Sequence, residues 1–296
     1  CVSSAIITNN SFAVPGGRFI EYYYWDTYWI LEGLLISGMK ETSKGILLNF
    51  FDIIEDNGFV PNGARIYYLN RSQPPVLTQM LFLYFKYTND IEFVKENLNL
   101  LDKEYLYWIE QKSINYKFPD TSKTYLLNVY DVESKIPRPE SYREDYLNAR
   151  ESNNTRIEDY YSNVMTAAES GWDFSSRWFS DPFDIRTIEI RNIIPVDLNS
   201  IMYKNEAILS ELHDLVGNKS KSDFYKNAMK ERETSINTVL WNTNMKRYGD
   251  FNTKTNRMHS YFAYASDLTP LWSGLKAPVE FSIILDIYNS LLMDFV

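Results

Sequence analysis

The sequence predicts an all-α protein, on three observations. Wherever apolar residues recur they do so at the 3.6-residue spacing of one helix face. Glycine, asparagine and proline punctuate the ends of these stretches. Only Tyr248 to Met258 departs from the pattern, with polar residues in weak alternation that suit a loop or a small hairpin. Periodicity of this kind allows a bundle or a solenoid equally well.

Leu47, Phe50, Phe51 and Ile54 follow the spacing i, i+3, i+4, i+7, and Asn57-Gly58 ends that helix. Leu77, Met80, Leu81 and Tyr84 repeat it, with Pro74-Pro75 at the start, where a missing amide donor does no harm. A further helix runs from about Ile91 to Gln111. Leu198 to Val216 is a helix stopped by Gly217, and Ser222 to Trp241 follows after a short polar turn, so the two form an antiparallel pair. Phe281, Ile284, Leu285 and Tyr288 open another amphipathic helix, and Leu292, Phe295 and Val296 are still apolar where the sequence stops. An apolar face with nothing downstream to cover it is expected of a truncated unit. No fixed-period repeat, low-complexity tract or Gly/Ser linker divides the chain, so one domain over residues 1–296, truncated at both ends, is expected.

Composition excludes several function classes. The 39 acidic residues exceed the 30 basic ones and give a net charge of −9, which disfavours nucleic acid, since phosphate binding needs clustered Lys and Arg. One cysteine, Cys1, forms no internal disulfide, and two histidines, His213 and His259, make no credible zinc site; both read as structural, and no metal or cofactor is expected. No apolar stretch approaches the ~20 residues of a membrane span, and no signal peptide is visible. Asn9, Asn70, Asn153 and Asn218 each begin a glycosylation triplet, compatible with a secreted or cell-surface protein. Asn70 is the poorest acceptor, because its neighbours Arg71 and Gln73 are expected to line a site.

Pro15 to Tyr28 packs a flexible turn, Arg18, Asp26 and six aromatics into one segment, and Glu169 to Trp178 repeats that mixture. It suits a sugar site: aromatic faces stack on pyranose rings, while Arg and Asp satisfy hydroxyls stripped of water. The loops Pro61-Asn62-Gly63, Asn70-Arg71-Ser72-Gln73-Pro74-Pro75 and Pro137-Arg138-Pro139-Glu140 are too rich in special residues to be plain connectors. By residue type alone, Asp173 is an exposed loop or helix-cap aspartate, Asp26 a cap beside a core Trp25, and Arg18, Arg71 and Arg138 are solvated charges. Phe19 and Tyr23 read as packing residues at a helix start.

Pro15 to Tyr28 matches in full a signature of the trehalase family, which splits trehalose into two glucoses. The three loops, extended to Ser141-Tyr142, and Gly171-Trp172-Asp173-Phe174-Ser175-Ser176-Arg177-Trp178 resemble its other landmarks in the same order. The resemblance implies an (α/α)6 toroid, incomplete in this chain, with a sugar pocket built from loops at one end of the ring. It implies hydrolysis with inversion, in which one carboxylic acid protonates the glycosidic oxygen and a second carboxylate activates water. Asp173 is then the general acid, and Arg18, Trp25, Asp26, Asn62, Arg71, Gln73, Arg138, Glu140 and Gly171 contact trehalose.

Trp172, Phe174 and Trp178 are expected to desolvate the Asp173 carboxyl and raise its pKa, and Arg177 to pair with some other carboxylate. The family's second signature and its base glutamate do not occur before Val296, so the chain reads as a fragment that is nearly inactive by itself. The rival reading is a catalytically inactive sugar-binding relative. A helical scaffold that binds proteins through its acidic surface explains the charge but none of the aromatic-arginine loops.

Overall fold

In the computed structural model, residues 2–119, 122–152, 156–259, 262–280, 282–286 and 289 are described. Cys1 and Asn153 lie outside the described residues. Helices dominate: α1 (Asp26–Ile36), α2 (Lys40–Asn57), α3 (Leu77–Thr88), α4 (Ile91–Gln111), α5 (Tyr142–Glu151), α6 (Ile157–Ser170), α7 (Val196–Leu215), α8 (Lys219–Val239) and the single turn α9 (Thr269–Trp272).

The helix ends follow local chemistry. Gly58 closes α2 in the left-handed conformation at φ 84°, its N–H bonded to the Ile54 carbonyl. The prolines expected at the start of α3 lie just outside it, and the Leu77 amide is capped instead by the Tyr24 hydroxyl at 2.9 Å. Asp90 caps α4 by accepting from the Phe93 amide. Asn218 caps α8 in the same way through Lys221, so that helix begins three residues before the expected Ser222.

α3 packs against α1, α2, α4 and α7, and α7 forms its longest contact with α8, the antiparallel pair predicted. The resulting core joins Leu31, Leu47, Phe51, Leu77, Leu81, Leu101, Trp108, Tyr160, Trp178, Leu198 and Leu209. A second, smaller core lies under the strands, around Leu127, Ile194, Ile236, Tyr248 and Phe251.

Helices α1, α5 and α6 and one hairpin go beyond the elements drawn from the sequence. In α6 every residue from Tyr160 to Ser170 is buried, polar Ser162, Asn163, Thr166 and Glu169 among them, although Ile157, Tyr160, Tyr161, Val164, Met165 and Ala168 keep the spacing of one apolar face. α5 is polar on most of its surface, with only Asp145 and Ala149 buried. β1 (Ser113–Lys117) and β2 (Thr124–Asn128) form an antiparallel hairpin after α4. The polar segment Tyr248 to Met258 does form a hairpin, β6 (Asp250–Asn252) with β7 (Arg257–His259). β6 also pairs with β3 (Ile193–Ile194), while β4 (Trp241–Asn242) pairs with β5 (Arg247–Tyr248).

Near the C-terminus residues 282–286 are helical, with Ile284 buried and Leu285 exposed. Phe281, Tyr288, Leu292, Phe295 and Val296 lie outside the described residues. Among the described residues no helix is long and apolar enough to cross a membrane.

Candidate active site

A cavity of about 560 Å³ is lined by Arg18, Trp25, Asp26, Asn62, Arg71, Gln73, Arg138, Glu140, Gly171 and Asp173, the ten residues singled out from the sequence. They come from four separated segments: the turn before α1, the loop between α2 and α3, the loop before α5, and the end of α6 with the turn that follows. The volume is that of a pocket for a small polar molecule.

Backbone pairing brings the segments together. Gly16 and Gly17 take φ values of 101° and 60°, which only glycine adopts without strain, and the Gly16 and Phe19 backbones bond each other to close a tight turn that presents Arg18. The Tyr24 amide donates to the Asn62 carbonyl, and the Asn62 amide to the Arg71 carbonyl. The Asn62 carboxamide donates to the Ser72 and Ala168 carbonyls at 3.1 and 3.0 Å, tying the second segment to α6. Gln73 accepts from the Trp25 amide at 3.0 Å and fixes the start of α1. Both carboxamides thus hold the wall together as well as facing the cavity.

Gly171 ends α6 at φ 73°. A Cβ there would lie 2.7 Å from the Trp25 indole. The Trp25 ring can therefore stand against the end of α6 only because residue 171 has no side chain.

Each cavity arginine has its own setting. Arg71 is buried, pairs with Glu140 through Nη2, stacks 4.8 Å above the Tyr68 ring, and leaves its Nε without an acceptor among the described residues. Arg138 donates from Nε and Nη2 to Asp145 at 2.8 and 2.7 Å and lies over Phe174. Arg18 is exposed, with its guanidinium over the Phe19 ring.

Asp173 is open to the cavity but ringed by protein. This crowding pushes its pKa above the usual aspartate value; Arg138 and Arg71 pull the other way, and Glu140 adds to the rise. Burial likewise raises the Asp26 carboxyl, opposed by its own backbone N–H. Of the aromatics expected around Asp173, Phe174 lines the cavity, whereas Trp178 is fully buried in the core and neither it nor Trp172 lines the pocket. Arg177 pairs with Asp197 and Asp250, not with Asp173, as anticipated.

Three further placements differ from the sequence reading or add to it. Phe19 and Tyr23 line the cavity, the two rings meeting edge to face at 5.9 Å, rather than only packing a helix start. Tyr68, Ser141, Ala168 and Phe174 complete the lining; all four lie within three residues of a motif residue, which was the signal available. Asn70 is itself exposed and outside the lining, while its neighbours Arg71 and Gln73 line the cavity as expected.

A second cavity of about 510 Å³ lies between α4, α7, α8 and the β1–β2 hairpin. On its floor Arg232 donates to Glu206 Oε1 at 2.7 Å and Tyr105 donates to the same oxygen, while Glu206 Oε2 has no donor among the described residues. His213 is tied to Asp102 at 2.9 Å and stacked on Tyr225. Among the described residues no cluster of His, Cys, Asp and Glu could hold a metal ion.

The family described as Trehalase matches residues 2–290. The chain is 44% identical over 282 residues to a trehalase of Dictyostelium discoideum, spanning 94% of this chain and 47% of that one. It is 41% identical over 274 residues to a human trehalase, spanning 92% and 46%. Among solved structures it superposes on the neutral trehalase of Saccharomyces cerevisiae with a TM-score of 0.73 and 25% identity, covering 90% of this chain and 52% of that one. A mannosylglycerate hydrolase of Thermus thermophilus, only 14% identical, shares the fold at a TM-score of 0.59. The chain spans about half the length of the curated relatives it matches.

Proposed function

The chain belongs to the trehalase family and has part of its (α/α)6 toroid fold, and from that premise we propose that its cavity binds α,α-trehalose and supplies the general acid for hydrolysis to two glucoses with inversion. One observation carries the reading: four distant segments converge so that an uncommitted carboxyl, Asp173, faces the same cavity as Trp25, Asp26 and three arginines. Its raised pKa suits an acid that must hold a proton until the glycosidic oxygen takes it.

In this reading Trp25, Phe19 and Tyr23 offer apolar faces to a glucose ring, and the arginines and carboxamides take its hydroxyls. Glu140 is held by Arg71, and Asp26 stands at the first residue of α1 with its pKa raised. Neither environment favours a water-activating base, which must be ionised and free. We assign the base to no residue among 1–296, and regard these residues as one truncated unit that binds trehalose better than it cleaves it. The rival reading, a sugar-binding protein without hydrolytic activity, rests on the same lack of a free second carboxylate.

Glucose release from trehalose by the complete gene product decides between the two. Hydrolysis that falls by a factor on the order of 10²–10⁴ in Asp173→Asn is the expected result. No hydrolysis by the unmutated protein, with trehalose still bound, favours the rival; full activity in Asp173→Asn refutes the acid assignment.

A further inference from the structure

Asp173 lies on a short turn whose geometry is set from below. The Trp172 carbonyl, one residue before Asp173, accepts from the Ser175 amide at 2.7 Å and from the Trp178 indole N–H at 3.0 Å. The Ser175 hydroxyl accepts from the Arg177 amide, and the Ser175 carbonyl from the Trp178 amide. Residues 172–178 therefore form a closed knot, with the acid carboxyl projecting from one side and the Arg177 side chain from the other.

Arg177 is completely buried. Its Nε and Nη2 donate to Asp250 at 2.8 and 2.7 Å, and its Nη1 and Nη2 to Asp197 at 3.1 and 3.0 Å. The plane lies 4.1 Å from the Trp178 ring centre and 5.0 Å from that of Trp172. Burial alone would lower the guanidinium's pKa, but the two carboxylates outweigh it and raise it further.

The two carboxylates belong to distant parts of the chain. Asp197 is in the first turn of α7, while Asp250 is on β6 and also accepts from the Val196 amide at 2.9 Å. Beside them the Ser176 hydroxyl meets the Tyr264 hydroxyl at 3.1 Å. Arg177 thus joins the Asp173 turn, the start of α7 and the β6–β7 hairpin at one buried point. None of the three charged groups lines the cavity.

We propose that Arg177, clamped by Asp197 and Asp250, is a positioning residue that fixes the Asp173 carboxyl at the sugar cavity, and that the β6 strand, through Asp250, is part of the catalytic support. The proposal rests on the reading of Asp173 as the acid. A guanidinium is required because four directed hydrogen bonds leave from one plane, whereas an ammonium makes three from a point. Loosening the clamp lets the knot shift, and a displacement of an ångström at the carboxyl is enough to cost rate while the cavity walls still bind sugar.

The test compares the protein with its Arg177→Lys and Asp250→Asn variants, each checked for folding by circular dichroism, using two readouts. The first is the carboxyl titration of Asp173 by carbon-13 NMR, its resonance assigned by loss in Asp173→Asn. The second, on the complete gene product, is the dependence of glucose release on trehalose concentration and pH. Expected are an Asp173 titration shifted toward that of a free aspartate, kcat lowered at least tenfold with KM within about threefold, and a displaced basic limb of the pH profile.

Folded variants with an unchanged Asp173 titration overturn the clamp. If Arg177→Lys does not fold, Asp250→Asn, which keeps the guanidinium and the Asp197 pair, carries the test. The titration judges the clamp whatever glycoside the protein cleaves, whereas undiminished hydrolysis in Asp173→Asn overturns the acid assignment and the clamp's catalytic role with it.

Discussion

Buried arginines do two different jobs in this molecule, one at the wall of the cavity and one beneath it. Arg71 and Arg138 are each bound to a single carboxylate, on loops that face the cavity, and Arg71 keeps a nitrogen without an acceptor. Arg177, a few residues from Asp173, has two carboxylates and two indole faces, and every nitrogen of its guanidinium has an acceptor. Burial does not separate them, since all three are at most 5% exposed. What separates them is commitment: Arg177 makes four bonds to two carboxylates outside the cavity and fixes a structure, whereas Arg71 and Arg138 each hold one carboxylate at the cavity wall.

The largest effect that could break this contrast is on stability. Asp250→Asn removes half of the neutralising charge around a buried guanidinium and is expected to cost about 3–5 kcal/mol, read as a lowered urea midpoint. Arg18→Ala, at the exposed rim, should stay within about 0.5 kcal/mol of the parent in the same measurement. A comparable loss in both would abolish the distinction.

Gly171→Ala probes the wall rather than the clamp. Its left-handed backbone and the 2.7 Å approach of Trp25 predict a loss of more than about 1 kcal/mol in stability, together with weaker trehalose binding as the indole is displaced. Titration calorimetry that finds trehalose affinity unaltered would remove Trp25 from the sugar contacts. Arg18→Ala should in turn lower kcat/KM for trehalose by roughly tenfold, about 1.4 kcal/mol, without changing stability.

A further effect is a change of slope with pH. Asp267 is buried against Asp250, and burial first, then that neighbouring charge, push its pKa from 3.8 to about 7. Between pH 4 and 7 the folded chain keeps a proton that the unfolded chain releases, so this group makes stability fall as pH rises through that window. Asp267→Asn removes the contribution, and the stability difference between parent and variant should shrink or reverse from pH 4.5 to 7. Parallel pH curves would show that the clamp does not press on Asp267.

Most helices were legible in the sequence because their burial is one-sided. In α2 and α4 the apolar residues fall on one face, and the residues that end α2 and open α4, Gly58 and Asp90, adopt the conformations their chemistry dictates. α6 carries the same spacing at Ile157, Tyr160, Tyr161, Val164, Met165 and Ala168, but its other faces are buried too, filled by Ser, Thr and Glu that bond neighbouring backbone, a surrounding that a one-face pattern does not reveal. The cavity residues were legible as motifs, yet their convergence was not: Asn62 meets the Ala168 carbonyl across 106 residues, a contact set by the fold and not by spacing. Arg177 avoids Asp173 as expected, but its partners Asp197 and Asp250 lie 20 and 73 residues away, on α7 and β6, and no local spacing links them to it.

The most direct test of the account is the rate of glucose release from trehalose by the complete gene product, unmutated and carrying Asp173→Asn, at saturating substrate near neutral pH. The account predicts a fall by a factor on the order of 10²–10⁴ with trehalose binding retained; an Asp173→Asn protein that releases glucose at the parent's rate would contradict it.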